Sequence, residues 1–266
     1  MNWLSRLFGK TPRLADSETE SPPVQAAVAN TAAPGVDDRN EHEAQVQAVL
    51  DATARRRDAC YASLGAMDGD VLAPLVNPSF SGGPRWPALR QAWRVVRRPG
   101  STLVASDALS DPFDEHDEPP VPLGFGLEVY AEARGVIDDV AKSWLFDLTY
   151  QVSQNVADHG RMRELLERYE VLSMLLPIEG LPADWVGEQG QVAFLIGVPA
   201  TSVPARFDTE YGDVRLAAIT LLRPDELQFL ERDGDIAGNR KKLAALLAAL
   251  PEGHVNDFSR PSVVPA

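Results

Sequence analysis

A chain of 266 residues that is 44% hydrophobic and 24% charged can bury one substantial core or two small ones, and reads as a soluble globular protein with tails. Its formal charge of −14 argues against nonspecific nucleic-acid binding, which needs a positive face, and would steer a basic protein toward it. The single cysteine, Cys60, excludes an intrachain disulfide and is expected to pack as a small apolar side chain. No apolar run reaches the roughly 18 residues that a membrane span needs, so no transmembrane segment is expected and cytoplasmic residence fits.

The opening residues 1–12 form a short amphipathic segment, with Trp3, Leu4, Leu7 and Phe8 on one side of a helix and Arg6 and Lys10 beside them. Peripheral membrane contact, partner docking and a frayed tail are all consistent with it. Residues 13–40 are rich in Pro, Ala and acidic residues and poor in large apolar side chains, the composition of a disordered linker. The folded domain is expected over 41–253, with an irregular C-terminal tail at 254–266.

Within that domain, Glu41 to Met67 carries Val46, Val49, Leu50, Tyr61 and Leu64 at helical spacing. A second helix is expected from Pro84 to Arg97, where Trp86, Leu89, Trp93 and Val96 share a face. Ser101–Ser106 and Gly126–Ala133 read as strands, the latter alternating Leu127, Val129 and Ala131 against Glu128, Tyr130 and Glu132. Helix returns over Ile137–Asp158, and a short piece follows at Glu164–Tyr169. Strands are expected at Val171–Pro177, Gln191–Val198 and Val214–Leu222, and helices at Pro224–Glu231 and Ile236–Leu250. Strand and helix runs mix without a regular βαβ repeat, so the fold class is α+β, a mixed central β-sheet packed by helices.

Four blocks carry a family resemblance: NPSFSGGPRWP from Asn77, ASDALSDPFD from Ala105, GFGLEVY from Gly124 and AAITLLRPDELQFL from Ala217, with RPSVV at Arg260 beside them. In order and spacing they resemble the bacterial branch of the suppressor-of-fused family, over most of residues 70–264. The resemblance implies an α+β domain that binds protein without turning over substrate. Bacterial relatives look like immunity proteins against secreted polymorphic toxins. An adaptor or chaperone-like module for a secretion effector is the alternative. No residue of the animal proteins' peptide-binding groove carries over, and the chain is too short to contain their second domain in full.

The most acidic stretch, between the strands at 101–106 and 126–133, offers Asp107, Asp111, Asp114, Glu115, Asp117 and Glu118. They lack the order of a calcium loop, so no metal site is expected. Ser106, Ser110, His116 and His159 supply the residue types of a hydrolase without the G-x-S-x-G elbow, and Gly124-Phe125-Gly126 lacks the third glycine of a dinucleotide loop. No enzymatic activity and no cofactor are therefore expected, with an uncharacterised hydrolase the remoter reading. The acidic residues, together with Glu128 on the polar side of its strand, are expected either as a solvated loop or as the surface that meets a protein partner, such as a basic toxin.

Overall fold

The computed structural model describes residues 36–113 and 120–264. The expected segment 1–12, most of the expected linker 13–40, and residues 114–119 lie outside the described residues. Helix α1 spans Val36–Leu64, so its first turn occupies positions 36–40 that composition had placed in the linker. Strands β1 (Ala66–Met67), β2 (Trp93–Arg98), β3 (Ser101–Ser106) and β4 (Leu127–Arg134) follow, then helices α2 (Trp144–His159) and α3 (Met162–Tyr169). Strands β5 (Leu172–Leu176), β6 (Val192–Ile196), β7 (Arg206–Thr209) and β8 (Gly212–Leu221) come next, and helices α4 (Pro224–Glu231) and α5 (Ile236–Ala248) close the series.

The strands form one mixed sheet in the order β1-β2-β3-β4-β8-β6-β5, with β7 pairing the start of β8. Among the described strands only the central β4–β8 pair is parallel, and the other neighbouring pairs run antiparallel. The expected α+β class holds, with helices on both faces. On one face Val104, Leu127, Val129, Ala217 and Ile219 meet Leu145, Leu148, Val152 and Val156 of α2. On the other, Leu103, Ala105, Tyr130 and Leu216 meet Cys60 and Tyr61 of α1, while Leu195 and Leu222 meet Leu243 and Leu247 of α5. Helix α2 starts where Ser143 accepts the Phe146 amide and stops at Gly160, which takes the left-handed conformation at φ 69°.

The helix expected from Pro84 to Arg97 does not form. Residues 84–91 are loop, and Trp93–Arg98 is β2, paired with β3 through a turn in which Gly100 adopts φ 78°. Two tryptophans spaced seven apart fit a helical face equally well, but Val95 and Val96 favour a strand and Pro99-Gly100 is a turn signal. The expectation that both rings lie in the core holds. Trp86 and Trp93 are fully buried and meet edge to face at 5.2 Å, and Trp93 Nε1 donates to Ser153 Oγ at 3.1 Å.

The described residues after α5 are irregular, and several of them, among them His254, Val255 and Asn256, are buried. Beyond the Tyr130–Ala218 pair β4 and β8 no longer pair, and Asn256 fills the gap between them. Its main chain bridges β4, donating to Glu132 O at 2.7 Å and accepting from Arg134 N at 3.0 Å. Its side chain accepts from Leu221 N at 2.7 Å and donates to Ile219 O at 3.0 Å on β8. Asn256→Leu would keep the main-chain bonds but take the side-chain partner from Leu221 N and Ile219 O, at an expected cost of about 2–3 kcal/mol, read from the midpoint of a urea titration.

Candidate functional site

The acidic stretch folds inward. Asp107 and Asp111 sit on the turn after β3, Glu128 sits on β4, and all three are buried, at 1%, 0% and 0% exposure. They converge on Arg57, from the buried side of α1, which is itself fully buried. Its guanidinium donates from Nε to Asp107 Oδ1 at 2.6 Å, from Nη2 to Asp111 Oδ1 at 2.8 Å, and from Nη1 to Ser110 Oγ at 2.9 Å. Glu128 Oε1 lies 3.5 Å from Nη1. Arg90 reaches the outer oxygens of Asp111 (3.1 Å) and Asp107 (3.3 Å), and Arg94 bridges Asp107 (3.0 Å) and Asp58 (3.4 Å).

The local chain path explains the convergence. Gly124 at φ 48° lies against the Asp111 and Leu109 carbonyls, where a Cβ would come within 2.3 Å and 2.7 Å. No side chain fits there, so the 120s strand lead-in can fold tightly over the 107–111 turn. Phe125 N then donates to Leu109 O at 2.9 Å. Tyr61 Oη donates to Ser106 O at 2.6 Å and fixes α1 one turn beyond Arg57.

Charge bookkeeping singles out Glu128. Arg57, Arg90 and Arg94 already face Asp107, Asp111 and Asp58, so Glu128 is one carboxylate beyond neutrality. Burial pushes its pKa up to about 7, against the opposing pull of Arg57 and of hydrogen bonds from Ser106 and Ser110. Ser106 Oγ can serve the protonated acid, since it also reaches Val129 O at 3.3 Å and can accept while still donating. Asp107 moves the other way: burial raises its pKa, but Arg57 and Arg90 outweigh that and hold it below the usual carboxylate range. For Arg57 burial opposes the charge, yet Asp111, Glu128 and Asp107 together raise its pKa.

These positions correct the surface expectation. Asp107, Asp111 and Glu128 form no accessible face, and Asp114, Glu115, Asp117 and Glu118 lie outside the described residues. Alternation along β4 was real, but its polar side faces a second core. Glu132, two residues further along that side, is likewise buried; it pairs with Arg98 at 2.6 Å and His254 Nε2 at 3.1 Å and accepts a hydrogen bond from Ser101. Ser106 and Ser110 are buried and engaged by Glu128, whereas His159 is exposed at the end of α2 and accepts from Arg161 N at 3.3 Å. The structure does not bring these serines and that histidine together; His116 lies outside the described residues.

What the chain does present outward lies elsewhere. Among the described residues the exposed large apolar side chains concentrate between 71 and 89: Val71, Leu75, Val76, Phe80 and Leu89, with Leu75 105% and Phe80 77% exposed. The loop that carries them is anchored. Trp86 is buried beneath it, Asn77 accepts from Ser79 N and donates to the Leu89 carbonyl, and Gln91 reaches Pro84 O at 3.2 Å.

No protein-family model matches the sequence, and no curated protein matches it. Among solved structures, Drosophila suppressor of fused is 14% identical, with 80% of this chain and 51% of that chain covered at a TM-score of 0.50. A chain of the Sufu–Fu complex crystal structure is 15% identical over 80% of this chain and 91% of that one, at a TM-score of 0.45. The class that sheet and helices define is therefore α+β with the suppressor-of-fused fold. The chain spans about half the length of the Drosophila protein. Among the described residues no helix is long and apolar enough to cross a membrane.

Proposed function

We propose that this chain is a non-enzymatic, protein-binding domain of the suppressor-of-fused type that acts as an immunity protein, occluding a secreted polymorphic toxin. One observation carries the binding half of this reading: a pinned loop that holds Leu75, Val76 and Phe80 in solvent. Exposed apolar side chains scattered singly need no explanation, but a group of them on an anchored loop marks an interaction surface. Anchoring matters energetically, because a loop ordered in advance loses little entropy when a partner covers it. The fold shared with suppressor of fused is consistent with such a role, although a fold alone does not assign one.

The test is capture of the full chain's partner from its native host, with and without the neighbouring genes, followed by co-expression of the captured protein with this chain. Neutralised toxicity supports immunity; capture without neutralisation supports the adaptor reading instead. Leu75→Ser with Phe80→Ser is expected to weaken capture at least about tenfold while the melting temperature stays within a degree or two, because neither side chain is in the core. Undiminished capture by this double variant would remove the loop from the interface.

A further inference from the structure

Two open grooves of about 710 Å³ and 270 Å³ meet at Ala141 on the flank of α2. The larger has Phe146, Tyr150 and Pro177 among its lining, with Asp147 and Glu179 beside them. The smaller is lined by Asp68, Asp70, Asp138 and Asp139 around Arg97. Only two cations line either groove, and both are already engaged: Arg97 holds Asp68 at 2.8 Å and Lys142 holds Asp139 at 2.8 Å. Among the described residues Asp70 and Glu179 are exposed and make no ion pair, while Asp138, also exposed, acts on Arg97 through its charge without a direct ion pair.

The aromatic part of the larger groove is rigid as well as apolar. Phe146 and Tyr150 are half-buried and brace against Trp93 at ring-centroid distances of 5.4 Å and 5.3 Å. Asp147 is oriented too, accepting from Gln151 Nε2 at 3.0 Å and from Glu179 N at 3.2 Å. Aromatic faces beside exposed carboxylates suit one chemistry: a guanidinium or ammonium group that stacks on the ring while its charge meets the acid. The smaller groove leads by chain continuity from Asp70 into the apolar loop at Val71–Leu89.

We infer that this joined groove takes an extended, arginine- or lysine-rich segment of a protein partner. The inference rests on the protein-binding reading above and names the chemistry of the surface. Net charge alone would attract any basic protein to any part of the chain; the groove adds position, through the exposed carboxylates of Asp70, Asp138 and Glu179 and a braced aromatic floor.

The probe is an amidated twelve-residue peptide of repeated Arg-Leu-Gly, titrated calorimetrically into the full chain, with the Glu-Leu-Gly peptide as its counterpart. Saturable binding of the basic peptide alone is expected. The triple variant Asp70→Asn, Asp138→Asn, Glu179→Gln should weaken it at least about tenfold and leave the melting temperature unchanged. A charge-matched variant, Glu41→Gln, Glu43→Gln, Asp51→Asn on the exposed stretch of α1, should change it less than about twofold. Equal losses in the two variants, or none in the first, would overturn the proposal, because attraction would then come from net charge. A native partner still captured by the groove variant but lost by the Leu75→Ser, Phe80→Ser variant would also overturn it, and would leave the protein-binding reading standing.

Discussion

Arg57→Ala is expected to cost about 3–5 kcal/mol, a loss that by itself would bring many domains close to their unfolding midpoint, since total stabilities run only about 5–15 kcal/mol. The reason lies in what remains behind. With the guanidinium gone, Asp107, Asp111 and Glu128 stay buried at 1% exposure or less, and Ser110 loses a donor. Arg90 still reaches the outer oxygens of Asp107 and Asp111, and Arg94 that of Asp107, but among the described residues no other cation meets Asp111 Oδ1 or Glu128. Removing one partner of a buried ion network is far more damaging than never having had it. Lysine is expected to rescue only partly, because three acceptors at 2.6 Å, 2.8 Å and 2.9 Å are matched to the fork of one guanidinium. Arg56→Ala, on the exposed side of the same helix turn, should stay within about 0.5 kcal/mol. Urea midpoints of the three variants measured side by side decide the matter; equal midpoints for Arg56→Ala and Arg57→Ala would refute the central role of the cluster.

Much of the sheet was legible because its strands obey simple rules. β3, β6 and β8 are largely apolar runs bounded by turns, β4 alternates apolar with polar residues, and the spacing of Leu148, Val152 and Val156 marks the body of α2, though not its start at Trp144. β2 was not legible from periodicity, since Trp86 and Trp93 satisfy a helical stripe and a buried strand alike; the arbiter was the Pro99-Gly100 turn and its pairing with β3. The charged cluster was hidden for a different reason. Alternation tells which residues share a face but not what covers that face, and Glu128 and Glu132 looked solvent-directed until α1 and the residues after α5 were placed over them. One signal was available: Arg55, Arg56 and Arg57 sit together on a helix whose other buried positions are apolar or small, so one of three adjacent arginines had to point inward. Of the apolar loop at 71–89 only the part from Pro84 was given an element, a helix, and the loop's exposure follows only from the tertiary positions of Trp86 and Asn77.

Glu128→Lys is expected to abolish cooperative folding, and Glu128→Gln to leave the fold intact while changing its response to pH. The lysine would put an ammonium against Arg57 in a site with no access to water, remove the acceptor that Ser106, Ser110 Oγ and Ser110 N share, and exceed the roughly 4–5 kcal/mol that marks the extreme of single substitutions. Glutamine keeps the shape and the accepting oxygen but has no proton to hold. In the native protein burial lifts the Glu128 pKa from 4.5 to about 7. Below pH 4.5 folded and unfolded chains both carry that proton. Between there and pH 7 the unfolded chain releases it and the folded chain keeps it, so this group's contribution to stability falls as pH rises, by about 2–3 kcal/mol across the window. Asp107 has the opposite sign and a separate range: its depressed pKa adds stability that is fully present above about pH 4 and is lost only in stronger acid. Stability measured every half unit from pH 4.5 to 7.5 should therefore decline more steeply for the native chain than for Glu128→Gln, with the two curves diverging toward pH 7 in favour of the glutamine. Parallel curves would mean that Glu128 is ionised throughout, and that Arg57 balances three buried carboxylates rather than two.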